Sequence, residues 1–421
     1  MGKSKKRKKG GSLKPINAEA SISPPRLPHF KHKISLPLPF PSGLEVPAAS
    51  FLRNEPPYEQ SFQAALDTAY EGFVVDLPST KGFRHDAIQN ALGVMDEARL
   101  FRTDVTQPFG LGTKCAKTYV TRCLLGDRGT TYKYLGLRMF AHPWDSQQKS
   151  GDSLGDAVNT VQQLNRTLTE RTMHHLSELD EKRTQRGGDP TRGRAGFDIA
   201  LINRMQNTAD LKQEPSMGEE RCAISWHADS SLEHYSTIAV YHTITKPGWS
   251  VALRVAHNSE GPDSTRRGTD IQPVVDTPPL AVSLPSGAAY YMLDDFNHHH
   301  QHAILAGEGI RFSSTHRLLR ESHNVNFQLE RCKKVCSMFH KKGKVWRSEQ
   351  LLLTELESEW IRQFYIQGQQ HYDLLWKVSR EVMCAIFAVS SLISVFKALG
   401  RFYSTTVAIL ESARNTDETN D

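Results

Sequence analysis

No stretch of this sequence is long and apolar enough to cross a bilayer. The longest uncharged apolar run, Val382 to Phe396, falls short of the ~18 residues a spanning helix needs and reads as a buried helix. No membrane partner is expected. A disulfide framework is missing too: the six cysteines, at 115, 123, 222, 332, 336 and 384, form no CxxC pair or regular spacing. They read as reduced thiols of an intracellular protein. The charged opening is not followed by an apolar segment, so no secretory signal is expected. Net charge is nearly absent from the body. Residues 3–9, KSKKRKK, hold six Lys and Arg and no acid, and removing those six from 52 leaves 46 basic against 46 acidic residues. All the excess sits on one tail. Such a tail suits nuclear import or loose contact with nucleic acid, and is also compatible with a plain solvated charge run.

What is present is organised in blocks. Ten of the 21 prolines fall between Pro15 and Pro57, a density that blocks regular helix and sheet, so residues 1–57 are expected as a disordered basic and Pro-rich tail. From Tyr58 the pattern turns periodic. EQSFQAALDTAY and DAIQNALGVMDEARL carry helical spacing, with FVVDL between them as a strand. KTYVTRCLLG and YKYLGLRMFAH, separated by DRG, predict a hairpin. AVNTVQQLNRTLTERTMHHLSELDEK predicts a long amphipathic helix. Between Phe197 and Ser314, eight short runs rich in Val, Ile, Tyr and Phe alternate with turn residues, which predicts a sandwich or jelly-roll barrel. After Arg320 the pattern is helical again. SEQLLLTELESEWIRQFYIQG places Leu353, Leu356, Trp360 and Phe364 on one stripe that ends at Gly368. The expected organisation is a barrel domain over 58–320, a helical C-terminal domain over 321–413 and a frayed tail over 414–421.

The chemistry concentrates in three places. In ISWHADSS, His227 and Asp229 are two apart and share a face if the segment is a strand. Alone, a His-x-Asp is more often a surface hydrogen-bonding pair. NHHHQHAILAG then offers His298, His300 or His302, all on one face at period two, so spacing does not choose among them. Two His and one carboxylate on a β scaffold suit a non-haem Fe(II) centre that leaves three positions open; zinc would also accept them. Finally, RFSSTHR places Arg311, Ser313, Thr315 and Arg317 on one strand face. The planar fork of Arg311 matches the distal carboxylate of a small dicarboxylate such as 2-oxoglutarate. The order of these parts is what a 2-oxoglutarate oxygenase needs, with O2 as the other co-substrate.

These segments resemble one family closely. YYMLDDFNHHHQHAILAG with RFSSTHR, ISWHAD, TYKYLGLRMFAHPW and SEWIRQFYIQG are similar to the fat mass and obesity-associated (FTO) demethylases, AlkB-like Fe(II)/2-oxoglutarate dioxygenases. The similarity runs with gaps from about residue 73 to 368. It implies an α+β chain with a double-stranded β-helix (jelly-roll) catalytic domain, flanking helices and a helical C-terminal domain. It implies His227, Asp229 and His302 as iron ligands, and Asn203, Tyr290, Arg311, Ser313, Thr315 and Arg317 around 2-oxoglutarate. Arg122 and Tyr134 fall where the family holds the methylated base. Ser230 stands where the family has a Glu that contacts the base, and Ala228 where it often has a second His. The implied reaction is oxidative N-demethylation of a nucleobase, with N6-methyladenine in single-stranded RNA, or alternatively DNA, as the expected substrate. Formaldehyde, succinate and CO2 would be released, in the nucleus if the basic tail directs import. The competing expectations are a hydroxylase of a protein or small molecule, and a barrel that binds nucleic acid without turnover.

Overall fold

The computed structural model describes residues 37–106, 116–127, 130–134, 137–144, 153–255 and 277–320. The helical domain expected after residue 320, with its Leu353, Leu356, Trp360 and Phe364 stripe, lies outside them, as do both charged tails.

The N-terminal part opens with α1 (Glu59–Asp67), β1 (Phe73–Asp76) and α2 (His85–Glu97). It continues through β2 (Arg102–Thr106), β3 (Ala116–Gly126), β4 (Thr131–Tyr134), β5 (Leu137–Phe140) and the short β6 (His142–Pro143) into α3 (Ser153–Gln185). The eight β-rich runs then form β7 (Ile199–Gln206), β8 (Cys222–His227), β9 (Ile238–Ile244), β10 (Ser250–Val255), β11 (Leu280–Ser283) and β12 (Ala289–Met292). After the single turn α4 (Phe296–His299), β13 (His300–Leu305) and β14 (Ile310–Arg317) complete them.

The large sheet has the order β1-β12-β9-β14-β7-β3-β2, with β6 beside β3, and the small one β11-β10-β13-β8. From β7 to β14 the chain crosses between the two sheets, and one apolar cluster takes residues from both: Leu201, Val240 and Tyr290 from the large, Val251, Leu253 and Ile304 from the small. That is a double-stranded β-helix with its core between the sheets. The second core lies on the other face of the large sheet. There Ile202, Ala239 and Tyr291 meet Leu92 and Met95 of α2 and Val161, Leu164 and Leu168 of α3. The alternation along each strand therefore separates an interior row from a row that faces helices.

α3 is held by charge as well as by its apolar stripe. Asp76, at the end of β1, accepts from Arg171 Nε and Nη2 at 2.8 and 2.7 Å, lies 3.2 Å from His175 Nε2, and accepts from the Tyr291 hydroxyl at 2.8 Å. About two to three turns further on, near the C-terminal end of the helix, Arg183 pairs with Asp294 and Asp295 at 2.6 and 2.9 Å. Burial disfavours the Asp76 anion, but hydrogen bonds from His175, Arg171 and Tyr291 outweigh it and hold the carboxyl well below its usual range.

Two expectations change. The hairpin predicted from KTYVTRCLLG and YKYLGLRMFAH does not form: β3 pairs with β2 and β7, while β4 and β5 pair with each other as a separate ribbon. The two halves of the second segment pair with each other instead, with Tyr134 opposite Leu137. The folded body also starts before Tyr58. Phe51 and Leu52 are buried, and Leu52 bridges Leu280 on β11. Their apolar side chains offset the ordering cost of a stretch whose prolines suggested open chain.

Candidate metal and dicarboxylate site

β8 and β13 are antiparallel neighbours in the small sheet, and His227 stands directly opposite His302. Just beyond that pair the register shifts, so β8 is bulged beside the site. The two imidazole centroids are 4.2 Å apart. Asp229 lies past the end of β8 rather than on it. Its backbone is fixed by Asn297, whose amide oxygen accepts from Asp229 N and whose amide nitrogen donates to Asp229 O, both at 2.9 Å. One ligand atom from each of His227, Asp229 and His302 lies within 4.8 Å of the others. No other group of this kind occurs among the described residues.

Local contacts set the state of these donors. His227 Nδ1 is 2.8 Å from Ser225 O. A carbonyl only accepts, so Nδ1 carries the proton and Nε2 keeps its lone pair for a metal. Asp229 Oδ1 lies 3.6 Å from His227 Nε2, while Oδ2 is 2.8 Å from Arg317 Nη2. Burial opposes its ionisation, but the charge of Arg317 outweighs it and keeps the carboxyl well below the ordinary range. Burial, with His227 close by, pushes His302 down to about 3. Two imidazoles and one carboxylate on one side of a point is a donor set that suits Fe(II).

The neighbouring histidines are otherwise engaged. His298 belongs to α4 and stacks edge-on with His234. His300 lies in the core, with Nδ1 3.0 Å from Phe296 O and Nε2 2.7 Å from Ala69 O. The geometry thus separates His302 from the other two.

The strand β14 runs away from these ligands in the adjoining wall. Arg311, Ser313, Thr315 and Arg317 alternate with Phe312 of the helix-facing core and point into the barrel. Ser313 lies between Asn203 on β7 and His242 on β9, and Asn203 lies beside Arg122 on β3. Tyr290 on β12 and Thr315 flank Val240 on β9. Arg311 is 3% exposed. It meets the Tyr290 hydroxyl and Met205 Sδ, and pairs with no carboxylate among the described residues. A buried guanidinium without an anion is costly. The site therefore fits a carboxylate that enters against Arg311.

Arg317 sits elsewhere in that row. It spans Asp229 and the Tyr132 hydroxyl, which it approaches at 3.0 Å. Ser230 is half-buried beside Asp229, and its carbonyl accepts from Tyr132 at 3.1 Å. Arg122 is buried on β3, with Nη1 3.5 Å from Val120 O. Tyr134 closes β4, and its side chain lies outside the described part. Asn297, Tyr132 and His242 are not among the residues the sequence pointed to. Only His242 left a signal, a polar residue at the inward period of the apolar run IAVYHTI.

The model of the FTO catalytic domain matches residues 60–320. The alpha-ketoglutarate-dependent dioxygenase FTO of Xenopus laevis is 32% identical over 331 residues, 68% of this chain and 64% of that protein. The chain thus spans under two thirds of that relative's length. Among solved structures, a 2OG-Fe(II) oxygenase family oxidoreductase from Burkholderia pseudomallei has a TM-score of 0.32 at 15% identity, over 64% of this chain and 94% of its own. OsALKBH1 has a TM-score of 0.32 at 13% identity, over 59% and 96%. At such scores neither adds to the strand order described above.

Proposed function

This chain belongs to the FTO family of dioxygenases, and from that premise we propose that it demethylates N-methylated nucleobases, with N6-methyladenine in single-stranded RNA as the substrate. Fe(II) and 2-oxoglutarate would be its cofactor and co-substrate. The observation that carries the reading is the convergence of His227, Asp229 and His302 beside a buried Arg311 that lacks a carboxylate partner among the described residues.

When bound, Fe(II) with 2-oxoglutarate and dioxygen supplies the oxidising power for attack on a methyl C–H bond. The chain's own residues bind and orient. His227, Asp229 and His302 would hold the metal from one side and leave the other positions for co-substrate and O2. Arg311 would take the distal carboxylate with its paired N–H groups, aided by Tyr290, Ser313 and the Asn203 amide. Thr315 would line the same channel, and Arg317 would neutralise Asp229. Arg122, Tyr134 and Ser230 are proposed for the base, which must leave any duplex to reach a pocket inside the barrel. The hydroxylated methyl group then departs as formaldehyde, with succinate and CO2 as the other products.

Ser230 favours one second reading, hydroxylation of a protein or small molecule, because a hydroxyl lacks the charge and reach of the family's Glu. One assay separates the two. Methylated RNA and DNA oligonucleotides and methylated histone peptides are incubated with Fe(II) and 2-oxoglutarate, and formaldehyde and mass changes are followed. Formaldehyde from N6-methyladenine RNA and none from the peptides supports demethylation; the reverse pattern defeats it.

A further inference from the structure

The Tyr132 hydroxyl occupies a junction that the ligand set depends on. Tyr132 comes from β4, in the two-stranded ribbon, and is 1% exposed. Its oxygen accepts from Arg317 Nη1 at 3.0 Å, and its proton is donated to Ser230 O at 3.1 Å. One phenol can do both at once, because it has one O–H and free lone pairs. The ring itself lies below the guanidinium, with Arg317 Cζ 5.4 Å from its centroid. Arg317 in turn sets its other terminal nitrogen 2.8 Å from Asp229 Oδ2, a pairing of charges rather than a directed hydrogen bond. The phenol therefore touches both the cation that clamps the carboxylate and the peptide that follows it.

We propose that Tyr132 is a positioning residue for the metal centre: it holds Arg317 across Asp229 Oδ2, so that Asp229 presents Oδ1 alone. This rests on the reading that His227, Asp229 and His302 hold a divalent metal. A carboxylate with both oxygens free can chelate through two positions. Locked at Oδ2, it takes one, and the position saved remains available to co-substrate or dioxygen. Because the phenol belongs to the β4–β5 ribbon and the ribbon's Tyr134 is proposed for the base, the same contact ties the substrate side of the site to the geometry of its carboxylate ligand. Partners that orient a metal ligand typically change metal affinity by ~10–100-fold when removed.

The test is Tyr132→Phe in the full chain, which keeps the ring over Arg317 and removes only the hydroxyl. Mn(II) affinity is measured by the EPR signal of free Mn(II), and Co(II) coordination by visible absorption, both without O2 or co-substrate. The expected result is a Mn(II) affinity changed about tenfold and a Co(II) spectrum altered by the second carboxylate oxygen. The same substitution is made in an Arg317→Met background, where it should have little further effect, since the route through Arg317 is already gone. Unchanged affinity and spectrum in Tyr132→Phe overturn the proposal. So does a full-sized effect that persists in the Arg317→Met background, which would mark a general loss of packing. Wild-type protein that takes up no Mn(II) overturns the metal reading itself, a result distinct from either.

Discussion

At the scale of single residues, Arg311 and Ser230 carry opposite kinds of information. Arg311 is a cation kept dry before any ligand arrives, so substituting it should separate stability from function. Arg311→Met removes an uncompensated buried charge at similar volume, and the melting temperature of the ligand-free protein should rise. The same variant should lose affinity for 2-oxoglutarate by at least about 30-fold, on the order of the 2–5 kcal/mol lost when one partner of a buried charge pair is removed. Calorimetric titration of the Mn(II)-loaded protein checks the second part; a variant that melts lower and binds normally would refute both. Ser230 is a departure in the opposite sense, a hydroxyl where the resemblance leads one to expect a carboxylate. Ser230→Glu should raise kcat/KM on N6-methyladenine oligonucleotides by roughly tenfold or more, as a charge-assisted hydrogen bond worth ~1.5–3 kcal/mol is restored. No gain would mean this chain reads its base by other contacts. The row of Arg311, Ser313, Thr315 and Arg317 was legible in the sequence because strand period is local. The choice of His302 over His300 was not legible from spacing, because it depends on where α4 ends and on carbonyls of Ala69 and Phe296. Asn297 and Tyr132 were invisible for the same reason. Each acts on Asp229 or its neighbour from far along the chain.

At the scale of elements, the anchoring of α3 governs how the outer layer holds the large sheet. Asp76 gathers Arg171, His175 and Tyr291 at one carboxylate. Its folded pKa lies below the unfolded value of about 4, so its contribution is complete above that pH and is lost as pH falls toward the folded value. Asp76→Asn should lower the melting temperature at pH 7 and flatten its decline between about pH 4 and pH 3, as followed by circular dichroism. A variant with the wild-type slope would assign that acid sensitivity to other groups. Helices and strands here were readable where a period ran unbroken, as in α3 and in β7 through β14. The ribbon of β4 and β5 was not, because its strands are only four residues each. Two short strands and a turn present the same alternation as one longer strand, and only pairing distinguishes them. Asp229 illustrates a related limit: the shared-face argument assumed a strand that in fact stops at His227. The carboxylate reaches the site through its contacts with Asn297 and Arg317 instead.

At the scale of the whole molecule, the interior is rich in histidine that does not ionise. His242, His302 and His316 are pushed down to about 3, and His300 to about 4, by burial in every case. Unfolding returns them to about 6.5, so the unfolded chain binds more protons and stability falls as pH drops below that value. Metal-free protein should therefore lose melting temperature steeply between pH 7 and pH 5, each proton taken up on unfolding steepening the loss by about 1.4 kcal/mol per pH unit. Scanning calorimetry across that range measures it; a flat profile would contradict neutral burial of these side chains. The bridge from Leu52 to Leu280 has a separate consequence. β11 terminates the small sheet, and Leu52 N and O are bonded to Pro279 O and Ala281 N along its outer side. A chain shortened to begin at Tyr58 would strip that cover and leave a bare sheet border with spare amide and carbonyl groups. Such borders recruit strands from other molecules, so the shortened protein would be expected to self-associate on concentration while the longer one stays dispersed.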